Sequence, residues 1–160
     1  MENEIVQRLI KNKETISSME SCTAGYFATT ITNVDGSSEV LKFSAITYSN
    51  DYKIKMGVKE ETISKYSVYS FETSNEMAKC ISDYTLSTYG VGITGKINRF
   101  DKNNPSENDN LVFVTIYNRK NDEYIKFNVM CPNKSRKECK EFIVNMILKR
   151  LLEIIWYIAM

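Results

Sequence analysis

The sequence predicts an α/β protein in which a mixed β-sheet lies between two layers of helices, a three-layer α/β/α sandwich. Three observations predict this fold class. Helical and strand-like segments alternate along the chain, two adjoining segments of alternating hydrophobicity predict a β-hairpin, and a long amphipathic segment follows them. The 160 residues suit one compact core, and residues 1–160 contain no repeat, interdomain linker or low-complexity tract. We therefore expect a single domain.

The first half of the chain carries short elements separated by turn signals. Glu4–Lys11 has helical spacing, with Ile5, Leu9 and Ile10 on one face. Leu41–Tyr48 is apolar and rich in strand-forming residues, which predicts a buried strand. The other predicted elements here are a strand at Thr15–Met19, a helix at Tyr26–Thr32 with its turn at Asn33–Gly36, and short helices at Asp51–Met56 and Lys59–Lys65.

The second half carries the two clearest helices. Glu72–Thr88 is amphipathic, and Ser70 can cap its N-terminus. We expect Met77, Ile81, Tyr84 and Leu86 of this helix to face the core. Ser135–Ile155 predicts a long closing helix, whose inner side should carry Phe142, Ile143, Met146, Ile147, Leu151 and Ile154. Between them we predict a strand at Gly90–Thr94, a polar loop at Lys96–Asn110, and hairpin strands at Leu111–Asn118 and Tyr124–Met130.

The composition excludes several classes of site and partner. Histidine is absent, which rules out Ser-His-Asp and Cys-His catalysis and any histidine-bearing zinc site. A serine nucleophile would therefore need another base, and lysine is the usual substitute. The net charge of +1 builds no global field that would attract nucleic acid or an anionic membrane.

Cysteine usage and hydropathy bear on location. The four cysteines show no CxxC spacing and the chain opens without an apolar signal segment, so we expect a cytoplasmic protein with reduced thiols. The apolar run Ile147–Met160 carries Lys149, Arg150 and Glu153, so we expect a docked terminal helix there and not a membrane span.

The first chemical motif is the run ESCTAG at residues 20–25, small hydroxyl residues between a strand and a helix. Such a turn can present an accessible serine, Ser21, and backbone N–H groups that bind phosphate or an oxyanion. The alternative is purely structural, because Ser and Thr are common helix N-caps. Cys22, beside Ser21, is expected to be buried packing; its replacement by Ala tests the alternative that it is the nucleophile.

The second motif is TYSNDYK at residues 47–53, where Tyr48, Ser49 and Lys53 lie close together at a strand-to-helix turn. A lysine becomes a base when burial or nearby positive charge lowers its pKa. The alternative is a surface turn with a solvated lysine. A third segment, Ser67–Ser70, is open to the same structural explanation, since capping alone accounts for Ser70.

Taken together, these segments resemble the signature of the CinA C-terminal domain family, the nicotinamide-nucleotide amidohydrolases. That family typically has ESCTGG, then GSS, then TYSNxxK followed by GV; this chain has ESCTAG at 20–25, GSS at 36–38, and TYSNDYK with GV at 47–58. Residues 68–78 and 93–95 are similar to two later family segments. The resemblance covers about residues 4 to 155.

The resemblance implies an enzyme that deamidates nicotinamide mononucleotide to nicotinic acid mononucleotide and ammonia. The family's serine, tyrosine and lysine fall on Ser21, Tyr48 and Lys53. In that mechanism Ser21 attacks the carboxamide, Lys53 takes its proton and Tyr48 relays it or orients the lysine. N–H groups near Cys22 and Thr23 would stabilise the oxyanion. It further implies a small-molecule nucleotide substrate, no metal or other cofactor, and a homo-oligomer. The substrate-binding residues it suggests are Cys22, Thr23, Ala24, Gly25, Ser49, Asn50, Ser70, Thr94, Gly95 and Arg136.

The chain departs from the family pattern around the substrate. Where the family has a glycine-rich loop close to GIAGPGGG, this chain has GKINRFDKNN from Gly95, and Lys96 and Arg99 offer charged side chains in place of close backbone approach. Ala24 replaces a glycine, and Arg136 stands in a weakened GDRxxxR segment. Three hypotheses follow: an active deamidase with a rebuilt loop, a hydrolase of another amide, or a non-catalytic binding domain that keeps the fold.

Overall fold

The computed structural model describes the backbone of residues 1–159 and the side chains of residues 1–155. Six helices, five strands and one 3₁₀ turn make up this part of the chain. The helices are α1 (Glu2–Asn12), α2 (Tyr26–Thr32), α3 (Asn50–Lys55), α4 (Glu60–Tyr66), α5 (Phe71–Thr85) and α6 (Arg136–Ala159), and the 3₁₀ turn is Ser37–Glu39. The strands are β1 (Ile16–Glu20), β2 (Ala45–Ile46), β3 (Tyr89–Gly95), β4 (Leu111–Asn118) and β5 (Glu123–Met130).

The sheet is mixed, as the sequence predicts. Its order is β2-β1-β3-β4-β5, with β1 parallel to both β2 and β3 and the last three strands antiparallel. Because β1, β2 and β3 run in one direction, their carboxyl ends meet at one edge of the sheet. Glu20 at the end of β1 is in register with Ile46 of β2 and Ile93 of β3. Ligands of open α/β sheets bind at such an edge.

Helices cover both faces, which confirms the three-layer α/β/α prediction. On one face α1, α2 and α6 enclose the larger core, to which Ile5, Phe27 and Ile147 belong. On the other face α5 lies against β1, β3 and β4, with a smaller cluster around Met19 and Met77.

Close packing of α5 on the sheet depends on the glycines of β3. A Cβ added at Gly90 would lie 2.1 Å from the Ala78 carbonyl oxygen, and one at Gly92 would lie 2.3 Å from the Ser74 carbonyl oxygen. No side chain fits at these distances, so the helix backbone rests directly on the strand. This contact fixes α5, and with it the turn that precedes it, relative to the site edge.

The prediction of a buried strand over Leu41–Tyr48 is wrong. Only Ala45 and Ile46 pair, at the edge of the sheet, and Ile46 is 57% exposed. The ladder is short because the Ser18 N–H of β1 donates to the Ser44 hydroxyl, 3.1 Å away, instead of to a backbone carbonyl. An apolar run is therefore a poor guide to burial at a sheet edge.

Two helical predictions are also corrected. The helix expected at Glu72–Thr88 ends at Thr85, because Leu86 adopts a left-handed conformation with φ 59°. Tyr84 and Leu86, expected to face the core, are 69% and 71% exposed. In α6, Phe142 is 41% exposed beside fully buried Ile143, since neighbouring helix positions point about 100° apart.

Within residues 1–159 the structure contains no helix that is long and apolar enough to cross a membrane. The last residue of the apolar run considered above, Met160, lies outside the described residues.

Candidate active site

Ser21 lies at the carboxyl end of β1, in a turn that is held by hydrogen bonds to the buried carboxylate of Glu20. The fully buried Glu20 accepts hydrogen bonds from the Thr23 hydroxyl (2.7 Å) and from the N–H groups of Phe27 (3.0 Å) and Ala28 (3.1 Å). Ser21 itself donates its N–H to the Ile93 carbonyl of β3, 3.0 Å away. Glu20 thus occupies first-turn N–H groups of α2 that a ligand anion would use, so the positive end of this helix is already neutralised.

Lys53 meets Ser21 below the surface of the site. Its ammonium nitrogen Nζ donates to Ser21 Oγ at 3.1 Å and to the Thr47 carbonyl oxygen at 2.8 Å, and the residue is only 2% exposed. Burial lowers the pKa of Lys53 from 10.5 to about 8, since the charged form is poorly solvated there. The neutral amine is therefore accessible near physiological pH, and its lone pair can accept the Ser21 proton.

The backbone aims Lys53 at Ser21. Ser49 caps the N-terminus of α3, its hydroxyl accepts the Tyr52 N–H, and this cap places Lys53 on the inward side of the first turn. The Thr47 carbonyl that holds Nζ is fixed in turn, because the Thr47 N–H donates to the Glu20 carbonyl at 2.8 Å. Strand end, turn and helix start therefore form one hydrogen-bonded unit, called the floor below: residues 20–25, Thr47 and Lys53.

Two N–H groups of the floor are free for an oxyanion. The N–H groups of Cys22 and Thr23 have no acceptor in another residue of the described chain, whereas the next one, of Ala24, donates back to the Ser21 carbonyl. The Cys22 side chain is buried, which raises the pKa of its thiol to about 12. At neutral pH Cys22 is a thiol and a poor nucleophile.

A cavity of about 650 Å³, called the first cavity, opens above Ser21 and Cys22. Its charged lining is mostly basic: Lys96, Arg99, Lys102 and Arg136 surround it, against the single carboxylate of Asp101. Tyr48, Tyr69 and Phe100 add aromatic surface to the lining. The first cavity is thus suited to an anionic molecule with a planar ring.

The loop at residues 96–110, called the roof, covers the site and is attached through side chains. Tyr69 donates its hydroxyl to Asp101 Oδ2 at 2.6 Å, Asn104 Nδ2 donates to the same oxygen at 3.0 Å, and Asn50 Nδ2 donates to Asn104 Oδ1 at 3.0 Å. The hydrogen bonds from Tyr69 and Asn104 hold the pKa of Asp101 below its usual value. Burial, followed by the bond to Asp101, raises the pKa of Tyr69.

Lys96 turns inward at the start of the roof. Its ammonium pairs with Asp109 at 3.3 Å and lies over the rings of Tyr69 and Phe100, 5.0 and 5.5 Å from their centroids. A lysine side chain therefore fills space at the start of the loop that is glycine-rich in the family pattern. Its charge reaches the lining of the first cavity.

A second cavity of about 550 Å³ adjoins the first, and both are lined by the hydrogen-bonded pair Tyr69 and Asp101. Five residues line both cavities: Ser21, Tyr48, Tyr69, Asp101 and Asn103. Lys53 lines the second cavity but not the first, and Cys22 lines the first but not the second. Ser21 is thus located at the junction, with Lys53 on one side and Cys22 on the other.

The structure brings together most of the residues singled out from the sequence. Ser21, Cys22, Tyr48, Gly95 and Arg136 line the first cavity, and Ser49, Asn50 and Lys53 line the second. Tyr48 is 62% exposed, and within the described residues its hydroxyl bonds to Arg136 at 3.4 Å and not to Lys53. The Thr47 carbonyl occupies the orienting position that the resemblance suggests for Tyr48.

The remaining candidates support the cavities from behind and line neither. Thr23 bonds to Glu20, Thr94 donates to the Val68 carbonyl at 3.0 Å, and Ser70 caps α5 by accepting the Thr73 N–H. Ala24 and Gly25 form the left-handed turn into α2, with φ 48° and 91°.

Sequence reasoning gave no role to several residues that shape the site: Glu20, Thr47, Phe100, Asp101 and Asn104. Only the first gives a signal in the sequence, as an acidic residue at the end of a buried strand. Among the described residues no group of three or more carboxylate or thiol side chains converges as metal ligands do.

Comparisons with known proteins agree on one family. A model of the CinA C-terminal domain matches residues 1–155. A CinA-like protein of Endomicrobium trichonymphae is 39% identical over 149 residues, and one of Kosmotoga olearia is 35% identical over 157 residues. These matches cover 89% and 97% of this chain but only 33% and 38% of those proteins, so the chain spans well under half of their length.

Solved structures show the same fold. A competence-damaged protein (CinA) superfamily protein from Klebsiella pneumoniae superposes with a TM-score of 0.89 at 16% identity, covering 98% of this chain and 96% of that one. The competence/damage inducible protein CihA from Agrobacterium tumefaciens gives a TM-score of 0.81 at 26% identity, covering 95% and 94%.

Proposed function

The chain belongs to the CinA C-terminal domain family, and we propose that it is an amide hydrolase that converts nicotinamide mononucleotide to nicotinic acid mononucleotide and ammonia. The observation that carries the proposal is the buried contact of 3.1 Å between Ser21 Oγ and Lys53 Nζ. A nucleophile and its base within hydrogen-bond reach, beside a cavity of ligand size, are what nucleophilic catalysis requires.

The proposed reaction has two halves. Neutral Lys53 takes the Ser21 proton while Oγ attacks the carboxamide carbon, and the N–H groups of Cys22 and Thr23 stabilise the oxyanion. Lys53 then gives the proton to the leaving nitrogen as the C–N bond breaks. Water attacks the resulting ester, again losing its proton to Lys53, which returns it to Ser21 Oγ.

Energetics support a catalytic role for Lys53. Burying an ammonium costs far more than burying an apolar chain of the same size, and only the Ser21 hydroxyl and one carbonyl compensate it. No carboxylate pairs with Lys53 among the described residues. A purely structural position has no use for such an amine, whereas a general base with a pKa of about 8 does.

The basic lining of the first cavity supports an anionic substrate. Arg99 and Arg136 line it, and guanidinium groups bind phosphate through paired hydrogen bonds. The same lining supports a second candidate function, hydrolysis of another anionic amide, because the rebuilt roof supplies its charge through side chains and not through glycine backbone.

Ammonia release from nicotinamide mononucleotide tests the proposal. We expect turnover by the wild type, loss of most of the rate in Ser21→Ala and Lys53→Ala, and retention in Cys22→Ala. Mass spectrometry after trapping should find the acyl group on Ser21. An acyl group on Ser21 without turnover of the nucleotide would favour the second candidate function. A protein that is inactive and carries no acyl group would favour the hypothesis of a non-catalytic binding domain.

Assembly and location stay predictions. We propose a homo-oligomer on the family resemblance alone, and a cytoplasmic location on the cysteine spacing. Light scattering coupled to size-exclusion chromatography measures the oligomeric state, and a monomer at micromolar concentration would contradict the homo-oligomer.

A further inference from the structure

The second cavity is larger than the proposed reaction needs. Deamidation places only ammonia and one attacking water on the side of Lys53, and a molecule of that size occupies roughly 30 Å³. The cavity measures about 550 Å³, which is within the range of small-molecule sites.

The chemistry of the dyad assigns the two cavities to the two parts of an amide. The group that protonates the leaving nitrogen must lie beside it, and Lys53 lines only the second cavity. The free N–H group of Cys22 and the basic side chains belong to the first cavity, which therefore takes the carbonyl oxygen and an anionic acyl group. A substituent on the nitrogen would extend past Lys53 into the second cavity.

The lining of the second cavity selects the kind of substituent. Ser49, Asn50, Asn103 and Asn104 offer hydroxyl and amide groups, with no cation besides Lys53. Asp51 contributes a carboxylate that has no partner among the described residues, so the local field favours a neutral polar or cationic group and opposes an anion.

We propose that the second cavity binds a polar substituent on the leaving nitrogen, so that the site also hydrolyses N-substituted amides that release a neutral or cationic primary amine. The inference rests on the proposed function. Ser21 Oγ bonds to the acyl carbon, the C–N bond breaks, and Lys53 returns the Ser21 proton to the nitrogen, which leaves as the amine. Water then hydrolyses the ester and restores Ser21.

Nicotinamide mononucleotide and three derivatives test the inference. The carboxamide nitrogen carries a 2-hydroxyethyl, a 2-aminoethyl or a carboxymethyl group, and the released amine is quantified by mass spectrometry. We expect kcat/KM for the first two within about ten-fold of the unsubstituted amide, and at least about ten-fold lower for the carboxymethyl compound, which meets Asp51.

A pair of variants locates the substituent. Asp51→Trp places a bulky ring at the second cavity, and Glu72→Trp makes the same change in the first turn of α5, outside both cavities. The ratio of kcat/KM for the hydroxyethyl compound to that for the unsubstituted amide should fall at least about ten-fold in Asp51→Trp and stay unchanged in Glu72→Trp.

The outcomes separate the two proposals. Hydrolysis of the unsubstituted amide with derivatives more than about a hundred-fold slower would overturn the inference and leave the proposed function standing. An unchanged ratio in Asp51→Trp would also overturn it, since the substituent would then lie elsewhere. Failure with all four compounds would overturn the proposed function and the inference together.

Discussion

The floor and the roof of this site are built in different ways. The floor is joined through backbone acceptors: the Glu20 carbonyl accepts the Thr47 N–H, the Thr47 carbonyl accepts the Lys53 side-chain amine, and the Ile93 carbonyl of β3 accepts the Ser21 N–H. The roof is held by backbone bonds at its two ends, Lys96 and Asn110, but its middle is attached through half-buried side chains, chiefly the hydroxyl of Tyr69 and the amide of Asn104. A backbone acceptor is present whatever the residue type, whereas a side-chain attachment depends on the particular residue. We therefore expect the floor to hold the reacting groups in place and the roof to change with its sequence.

The largest effect we expect concerns the floor. Lys53→Met should lower kcat/KM by about 10³-fold, because it removes the base while the apolar chain fills the same space. In the wild type, kcat/KM should rise with pH and level off above about pH 8, where Lys53 is neutral. Steady-state rates between pH 6 and 9 measure both.

Lys55→Met is the matched control for this change. Lys55 belongs to the same helix, is exposed and lies over the Tyr52 ring, 4.5 Å from its centroid. It should keep the wild-type rate and pH profile. A flat profile in the wild type, or equal losses in the two variants, would contradict the role of Lys53.

The stability of the folded protein should also depend on the protonation of Lys53. The pKa of Lys53 is about 8 when folded and 10.5 when unfolded, so the unfolded chain binds more protons between these values. The free energy of unfolding of the wild type, relative to Lys53→Met, should therefore be lowest below pH 8 and rise by about 3 kcal/mol up to pH 10.5. Urea denaturation of both proteins at pH 7, 9 and 10.5 measures the difference. A constant difference would mean that the amine is solvated.

Much of the floor could be predicted from the sequence because its residues are close along the chain. Ser21 follows a strand end, and Lys53 lies one helical turn beyond a capping Ser49. Glu20 gives a signal as an acidic residue at the end of a buried strand, but its partners could not be predicted, since backbone N–H groups have no residue type to identify them. The bond from Lys53 to the Thr47 carbonyl could not be predicted either, because carbonyl directions depend on strand pairing and not on residue type.

The roof lay beyond prediction for a different reason. Its attachment joins Tyr69 to Asp101, 32 residues apart, in a stretch whose polar composition suits any loop. The alternating segments after it gave both hairpin strands closely, at Leu111–Asn118 and Glu123–Met130. The local hydrophobic pattern therefore predicts most helices and strands. It fails at the sheet edge and at a left-handed residue, and it predicts no long-range side-chain contacts.

The next effect concerns the roof. Tyr69→Phe keeps the ring beside Lys96 but removes the hydrogen bond to Asp101, which should lower the free energy of opening the roof by about 1 to 2 kcal/mol. Hydrogen exchange at the Arg99 amide, which donates to the Asp109 carbonyl, should accelerate about ten-fold or more, and KM should rise more than kcat falls.

Tyr66→Phe provides the comparison for this variant. Tyr66 lies in α4, is half exposed and has no hydrogen bond through its hydroxyl among the described residues. Removal of the Tyr66 hydroxyl should leave hydrogen exchange at the roof amides unchanged. Equal exchange in wild type and Tyr69→Phe would show that the roof is held by its own backbone and would weaken the contrast with the floor.

The smallest effect concerns a residue of the floor whose backbone conformation is unfavourable for its residue type. Ala24 has φ 48°, a left-handed conformation that costs an L-residue about 1 kcal/mol. Ala24→Gly removes that strain but gives the unfolded chain more freedom, so the net gain in unfolding free energy should be roughly 0.5 kcal/mol.

The adjacent position gives the opposite change on the same turn. Gly25 has φ 91°, and an added Cβ would lie 3.1 Å from Ile46 Cδ1, so Gly25→Ala should lower the unfolding free energy by more than about 1 kcal/mol. Thermal and urea denaturation of both variants measure the pair. If Ala24→Gly also raises kcat/KM, the alanine restricts the turn that carries Ser21; if only stability changes, the N–H groups of Cys22 and Thr23 are already in place and the strain is confined to the turn behind them.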